Sequence, residues 1–269
     1  MHRPEHRYYK NRWQWGKASA AEISAIGLRE VSMVGKSSLR LDWLGASCEE
    51  VPHPFGEGIS FWRIDLPMEV RQVTVPDRLI CAQDQARAGR LRDALERFHF
   101  TASQAVLRSV LSALGCGPED RIQIVRDGRG KPCLAGNGLR FSLSRSGAAV
   151  LIGVSYSREI GVDIECMRYV PNLEALARNQ LSAAEFAVWR QACAEARNLN
   201  FLRYWTRKEA CVKAAGVGLA VPLADIHVGC EVNGIPHRVT LHHSGAAWTV
   251  QVASLQTEQN VIAAAAVVE

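Results

Sequence analysis

Apolar and polar positions begin to recur regularly only at Ile59. Ile59-Ser-Phe-Trp-Arg-Ile-Asp-Leu66 alternates with the two-residue period of a half-buried strand. From Pro76 to Phe98 the chain is charged, and Leu79, Leu91, Leu95 and Phe98 suit one helical stripe. A second helix, with Thr101 or Ser103 as its cap, carries Val106, Val110, Leu111 and Leu114 and is expected to stop at Gly115. Strands are predicted over 121–125, 139–143 and 149–154, with a turn at Asp127-Gly-Arg-Gly130. A short link over 155–159 leads into Ile160-Gly-Val-Asp-Ile-Glu165. Helices are then predicted over 172–180, 182–196 and 201–215, the second opened by the capping-box pattern Ser182-x-x-Glu185. Strand-like runs near 225–231, 237–242, 247–253 and 261–268 close the chain. Helices plus strands in each half predict an α+β fold of two similar α/β lobes, not a doubly wound parallel sheet. The lobes are expected over 59–155 and 156–269, behind an N-terminal extension over 1–58.

Charge and composition change this picture little. Of the net charge of +5, +4 lies in the first seventeen residues, where Arg3, Arg7, Lys10, Arg12 and Lys17 face only Glu5. The basic balance belongs to an arm that also carries Tyr8, Tyr9, Trp13 and Trp15. Such an arm can stack on and neutralise nucleic acid, but it reads first as a surface extension. The longest apolar stretch, Val261 to Val268, is too short to span a bilayer. The eight cysteines are never closer than the 17 positions between Cys116 and Cys133, which is not a zinc-ligand spacing. With no export signal in view, they predict reduced thiols and a cytoplasmic protein.

Candidate chemistry begins at Gly161-Val-Asp-Ile-Glu165. On a strand, Val162 and Ile164 point one way while Asp163 and Glu165 point the other. Two like charges held this close call for a compensating cation, and a divalent metal is one. Alone, the pentapeptide reads as a solvated strand edge. A second segment, Trp205-Thr-Arg-Lys-Glu-Ala-Cys-Val-Lys213, changes that reading. Glu209 and Lys213 are i and i+4 and share a helix face, with Arg207 and Lys208 adjacent. A third carboxylate among bases suits a metal-bound polyphosphate: anions for the metal, cations for the phosphate oxygens. The histidines at 53, 227, 237, 242 and 243 form no triad with a candidate serine.

These two segments, about forty residues apart, resemble the paired signature of the 4′-phosphopantetheinyl transferases. Gly130-Lys-Pro132 and Phe141-Ser-Leu-Ser-Arg-Ser-Gly147 are similar to two further motifs of the surfactin-type subfamily, in the same order. The resemblance covers roughly residues 59–268. It departs from the family pattern at Arg145, where a histidine is usual.

The resemblance implies an enzyme that moves the phosphopantetheine arm of coenzyme A to a serine of an acyl or peptidyl carrier protein, releasing adenosine 3′,5′-bisphosphate. It implies Mg²⁺, with Mn²⁺ as a substitute, on Asp163, Glu165 and Glu209. Lys131, Pro132, Ser144, Arg145, Lys208 and Lys213 would contact coenzyme A, and either Glu209 or Lys213 would be the general base. A monomer is expected, with the carrier docking beside Met167 to Trp189 through Val170, Leu173, Leu176, Leu181 and Phe186. A non-catalytic relative that binds coenzyme A or a carrier is the alternative that Arg145 suggests.

Overall fold

The computed structural model describes residues 38–69, 73–136, 138–229, 235–257 and 260–269. The basic, aromatic stretch over 1–17 lies outside them. Eleven strands and five α-helices occur among the described residues. A five-stranded antiparallel sheet contains β1 (Ser38–Leu41), β2 (Ala46–Glu50), β3 (Ile59–Asp65), β6 (Arg140–Ser146) and β7 (Ala149–Ser155). Its order is β1-β2-β3-β7-β6. A four-stranded antiparallel sheet has β8 (Ile160–Cys166) at one edge, followed by β11 (Val261–Val268), β10 (Ala246–Leu255) and β9 (His237–His243). The remaining pair, β4 (Ile124–Arg126) and β5 (Pro132–Leu134), is a hairpin around the Asp127–Gly130 turn. This is a mixed α+β fold. The first sheet starts at Ser38, inside the segment expected to be an arm, because the alternation in β1 and β2 is too short to stand out from its polar surroundings.

Helices α1 (Ala82–Ala88) and α2 (Ala94–Ala113) precede the hairpin. The single stripe expected over 76–98 is broken between them, and Asp93 caps α2 by accepting the Glu96 N–H at 2.8 Å. Thr101 and Ser103 are not caps. Their hydroxyls donate back to Arg97 and Phe100 carbonyls, at 2.8 and 2.7 Å, inside a continuous helix. Helices α3 (Leu173–Gln180), α4 (Ala183–Gln191) and α5 (Ala194–Ala215) follow β8. The capping box at Ser182 and Glu185 forms with both hydrogen bonds present. Helix α5 starts earlier than its apolar spacing suggests and ends on Gly216, whose φ of 67° is the left-handed conformation glycine adopts freely. The strand expected near 225–231 does not form over its described part, 225–229. A single 3₁₀ turn, Leu223–Asp225, leads into it instead.

Two apolar layers flank the four-stranded sheet. On one side Val162, Ile164, Ala263, Ala265 and Val267 pack with Phe61 and Leu151 of the first sheet. On the other side Ala264 and Ala266 pack with Ala210, Cys211 and Ala214 of α5. Alanines on β11 let the helix come close. Gly161 lets it come closer still, since a methyl there would lie 2.1 Å from the Ala210 carbonyl oxygen and 2.3 Å from the Ala214 nitrogen. The alternation read from sequence therefore stands: Val162 and Ile164 face the inter-sheet core, while Gly161, Asp163 and Glu165 face away from it. No helix among the described residues is long and apolar enough to cross a membrane.

Candidate active site

Strands β6 and β8 are edges of different sheets that lie side by side, and side chains join them where a backbone ladder would otherwise run. Ser142 Oγ accepts the Val162 N–H at 3.1 Å. Ser144 Oγ donates to Asp163 Oδ1 at 2.9 Å. Ser146 Oγ donates to Glu165 Oε2 at 2.9 Å and accepts the Cys166 N–H at 3.1 Å. The three serines recur with the strand period of two, so all reach the same neighbour.

Helix α5 closes this seam from above. Lys213 Nζ lies 2.6 Å from Asp163 Oδ1 and 3.1 Å from Ser144 Oγ. Asp163 is 5% exposed, and its second oxygen, Oδ2, is buried without a hydrogen-bond partner. Burial pushes the Asp163 carboxyl above the ordinary range, against the opposing pull of Lys213 and Ser144. Glu209, one turn before Lys213, is also raised, first by burial and then by the charge of Asp163, with Lys213 opposing. The three carboxylates thus feel one another. Glu165 is engaged by Arg168, three residues further on.

A cleft of about 340 Å³ adjoins Lys213. Its wall carries Arg87, Arg108, Arg126, Arg129 and Lys131 as well as Lys213, against the carboxylate of Asp84 alone. Arg108 is spent on Asp84, at 2.7 Å. The Lys131 ammonium is spent on Glu159 (2.7 Å) and on the Ile160 and Ala214 carbonyls (3.1 and 2.9 Å), which ties the β4–β5 hairpin to the end of α5. Arg87, Arg126 and Arg129 have no carboxylate partner among the described residues. Arg126 donates to the Gly130 carbonyl, while Arg129 donates to the Ala215 carbonyl and lies over the Trp248 ring. A cleft with this excess of guanidinium groups suits a polyanion.

Several predicted site residues converge and others do not. Asp163, Glu165, Ser144 and Lys213 are joined directly or through the serine seam, with Glu209 in their field. Lys131, Pro132 and Lys213 line the cleft. Lys208 is not at the site. It is fully buried, 2.6 Å from Glu185, and donates to the Leu223 and Ile226 carbonyls. Adjacent helix positions are about 100° apart, so Lys208 and Glu209 cannot share a face. Arg207 is likewise buried, against the Val252 carbonyl. Arg145 points to α2, where it pairs with Glu96 at 3.0 Å, and does not line the cleft. Ser182 and His227 do meet, at 3.1 Å, but Ser182 is occupied as the helix cap. Val170 and Leu181 are buried and cannot touch a partner, whereas Leu173, Leu176 and Phe186 are half-buried against the same core.

Among the described residues no three His, Cys, Asp or Glu side chains are grouped as they are around a bound metal ion. The donor set nevertheless fits a hard divalent cation. It offers three mutually repelling carboxylates and one orphaned buried oxygen, Asp163 Oδ2, which a cation would satisfy.

Comparison with known proteins places this arrangement. The model of the 4′-phosphopantetheinyl transferase superfamily matches residues 159–266, which hold Asp163, Glu165, Glu209 and Lys213. The chain is 34% identical over 214 residues to the 4′-phosphopantetheinyl transferase HetI of Nostoc sp., covering 78% of this chain and 87% of that protein. It is 37% identical over 138 residues to the 4′-phosphopantetheinyl transferase AcpT of Salmonella typhi, covering 48% and 68%. The chain belongs to the 4′-phosphopantetheinyl transferase superfamily, and it is a transferase enzyme.

Proposed function

We propose that this enzyme, of the surfactin-type subgroup, transfers the phosphopantetheine arm of coenzyme A to a serine hydroxyl of an acyl or peptidyl carrier protein. The observation that carries this reading is the arginine-rich cleft that opens beside the Lys213–Asp163 pair. The pyrophosphate lies against Lys213, and Arg126 and Arg129 face the remaining phosphate charge of the nucleotide. Lys131 and Pro132 shape the wall rather than supplying a free cation. A bound Mg²⁺, with Mn²⁺ as a substitute, would be held by Asp163, Glu165 and Glu209 and would draw charge from the pyrophosphate oxygens.

The serine oxygen forms a bond to the phosphorus that carries pantetheine, and the bond from that phosphorus to the bridging oxygen breaks. Adenosine 3′,5′-bisphosphate leaves with that electron pair. The serine proton passes to Glu209, directly or through one water. Glu209 suits the role because it is a carboxylate one helical turn from Lys213 and within the field of Asp163. Lys213 suits it less, since its ammonium is held by Asp163 and Ser144. Positioning and charge stabilisation supply most of the rate. The carrier approaches past Met167 and Tyr169, which are exposed immediately beyond Glu165. We take the enzyme to act as a monomer in the cytoplasm.

The test is incubation of the full chain with coenzyme A, Mg²⁺ and apo carriers of fatty-acid, polyketide and nonribosomal-peptide type. Intact mass should show a gain of one phosphopantetheine arm on at least one of them. No gain on any carrier overturns the proposal.

A further inference from the structure

The serine seam has a second role beyond joining two sheets. Asp163 Oδ1 receives both the Ser144 hydroxyl and the Lys213 ammonium, whereas Oδ2 receives nothing although it is buried. An unsatisfied carboxylate oxygen in the interior is costly. A free carboxylate would rotate to share its partners between both oxygens. Two donors converging on one oxygen from opposite elements, β6 and α5, prevent that. At Glu165 the Ser146 hydroxyl and the Arg168 guanidinium both grip Oε2, while the serine's own oxygen is anchored by the Cys166 N–H. The seam therefore sets the rotation of both carboxylates before any ligand arrives.

We propose that Ser144 and Ser146 are positioning residues of the transfer site: they fix the Asp163 and Glu165 carboxylates so that the orphaned Asp163 Oδ2 is reserved for a divalent cation. This rests on the metal part of the reading above. Ser142 makes the contrast, because it spans the same seam but binds only the Val162 backbone N–H. It lines the cleft but holds no carboxylate. The resemblance to known motifs marks these serines as a group and does not distinguish their roles; the hydrogen-bond partners do.

The test measures Mn²⁺ binding to the full chain without coenzyme A or carrier, from the electron paramagnetic resonance signal of the free ion. Ser144→Ala should weaken binding about ten- to a hundredfold, the usual cost of losing a residue that orients a metal ligand. Ser144→Thr, which keeps the hydroxyl, should recover most of it. Ser142→Ala should lower the unfolding temperature while leaving Mn²⁺ affinity within about threefold, since it touches no carboxylate. If Ser144→Ala fails to fold, Ser144→Cys, similar in volume but a weak donor, carries the same comparison. In the transfer assay Ser144→Ala should lower kcat more than it raises KM for coenzyme A.

Wild-type Mn²⁺ affinity in both Ser144→Ala and Ser144→Cys overturns the inference. So does an equal loss of affinity in Ser142→Ala, which would make the seam structural only. A wild-type protein that modifies a carrier but binds no Mn²⁺ overturns the inference and leaves transfer intact. A wild-type protein that does neither overturns the functional reading itself.

Discussion

Gly161 on β8 faces the Ala210 carbonyl of α5 with no room for a side chain, a methyl carbon there coming within 2.1 Å of that oxygen. The obstacle is helix backbone, which cannot rotate away. Gly161→Ala should therefore push α5 off β8 and carry Glu209 and Lys213 away from Asp163. The expected cost is about 3 kcal/mol or more of stability, or outright failure to fold. Chemical denaturation of the purified variant checks it. Unchanged stability would mean that the helix does not cross the strand this closely.

Lys208 and Glu185 form a buried pair with side-chain exposures of 0% and 1%. Burial lowers the affinity of Lys208 for its proton, and Glu185 opposes that shift. Removing one partner strands the other's charge in the core. Lys208→Met should cost roughly 3–5 kcal/mol of stability. Coenzyme A affinity, measured below the unfolding temperature, should change little, because Lys208 does not reach the cleft. A large affinity loss with intact stability would return Lys208 to the binding site.

Arg126 and Arg129 are exposed on the hairpin, so water and salt weaken each of them. Arg126→Gln and Arg129→Gln should each reduce coenzyme A affinity about threefold, and together about tenfold, at low ionic strength. Titration calorimetry at two salt concentrations tests this. The double variant should show a shallower salt dependence, and equal slopes would remove these arginines from the site.

The raised proton affinity of Glu209 has a definite sign in stability. A carboxyl that holds its proton more tightly when folded favours folding most below its ordinary value of 4.5. That contribution is lost as pH rises through the folded value. Glu209→Gln, which cannot ionise, should therefore gain stability relative to the wild type, in the absence of divalent metal, as pH rises above the ordinary value of 4.5. Unfolding temperatures across that range decide the sign.

The directions of Asp163, Glu165, Glu209 and Lys213 were legible in the sequence because each lies in a regular element whose period fixes them. Strand alternation separated Asp163 from Val162, and one helical turn joined Glu209 to Lys213. Lys208 was misread because neighbouring basic residues look equivalent until the helix is given an inside. The arginine wall was hidden for another reason. Arg87, Arg126 and Arg129 come from two stretches of chain that only the folded cleft brings together, and each alone reads as a solvated charge. The signal in the sequence was Arg126 beside the Asp127–Gly130 turn and Arg129 within it. The roles of Ser142, Ser144 and Ser146 also needed the neighbouring strand, since a hydroxyl's function lies in its partner. The mixed α+β class followed from the order of helices and strands, whereas β1 and β2 were lost in a polar, glycine-containing segment.

Strand β2 lies along the outer edge of β3, with Glu49 opposite Arg63 and Glu50 opposite Trp62. Val51 and Phe55, which follow it, are buried in the inter-sheet core. A shortened protein beginning near Ile59 would bare the β3 edge and remove part of that core together. An uncovered edge of this kind is a template for pairing with another chain. Such a protein would be expected to self-associate, and its loss of activity would say nothing about the basic arm. The cut that isolates the arm falls before Ser38.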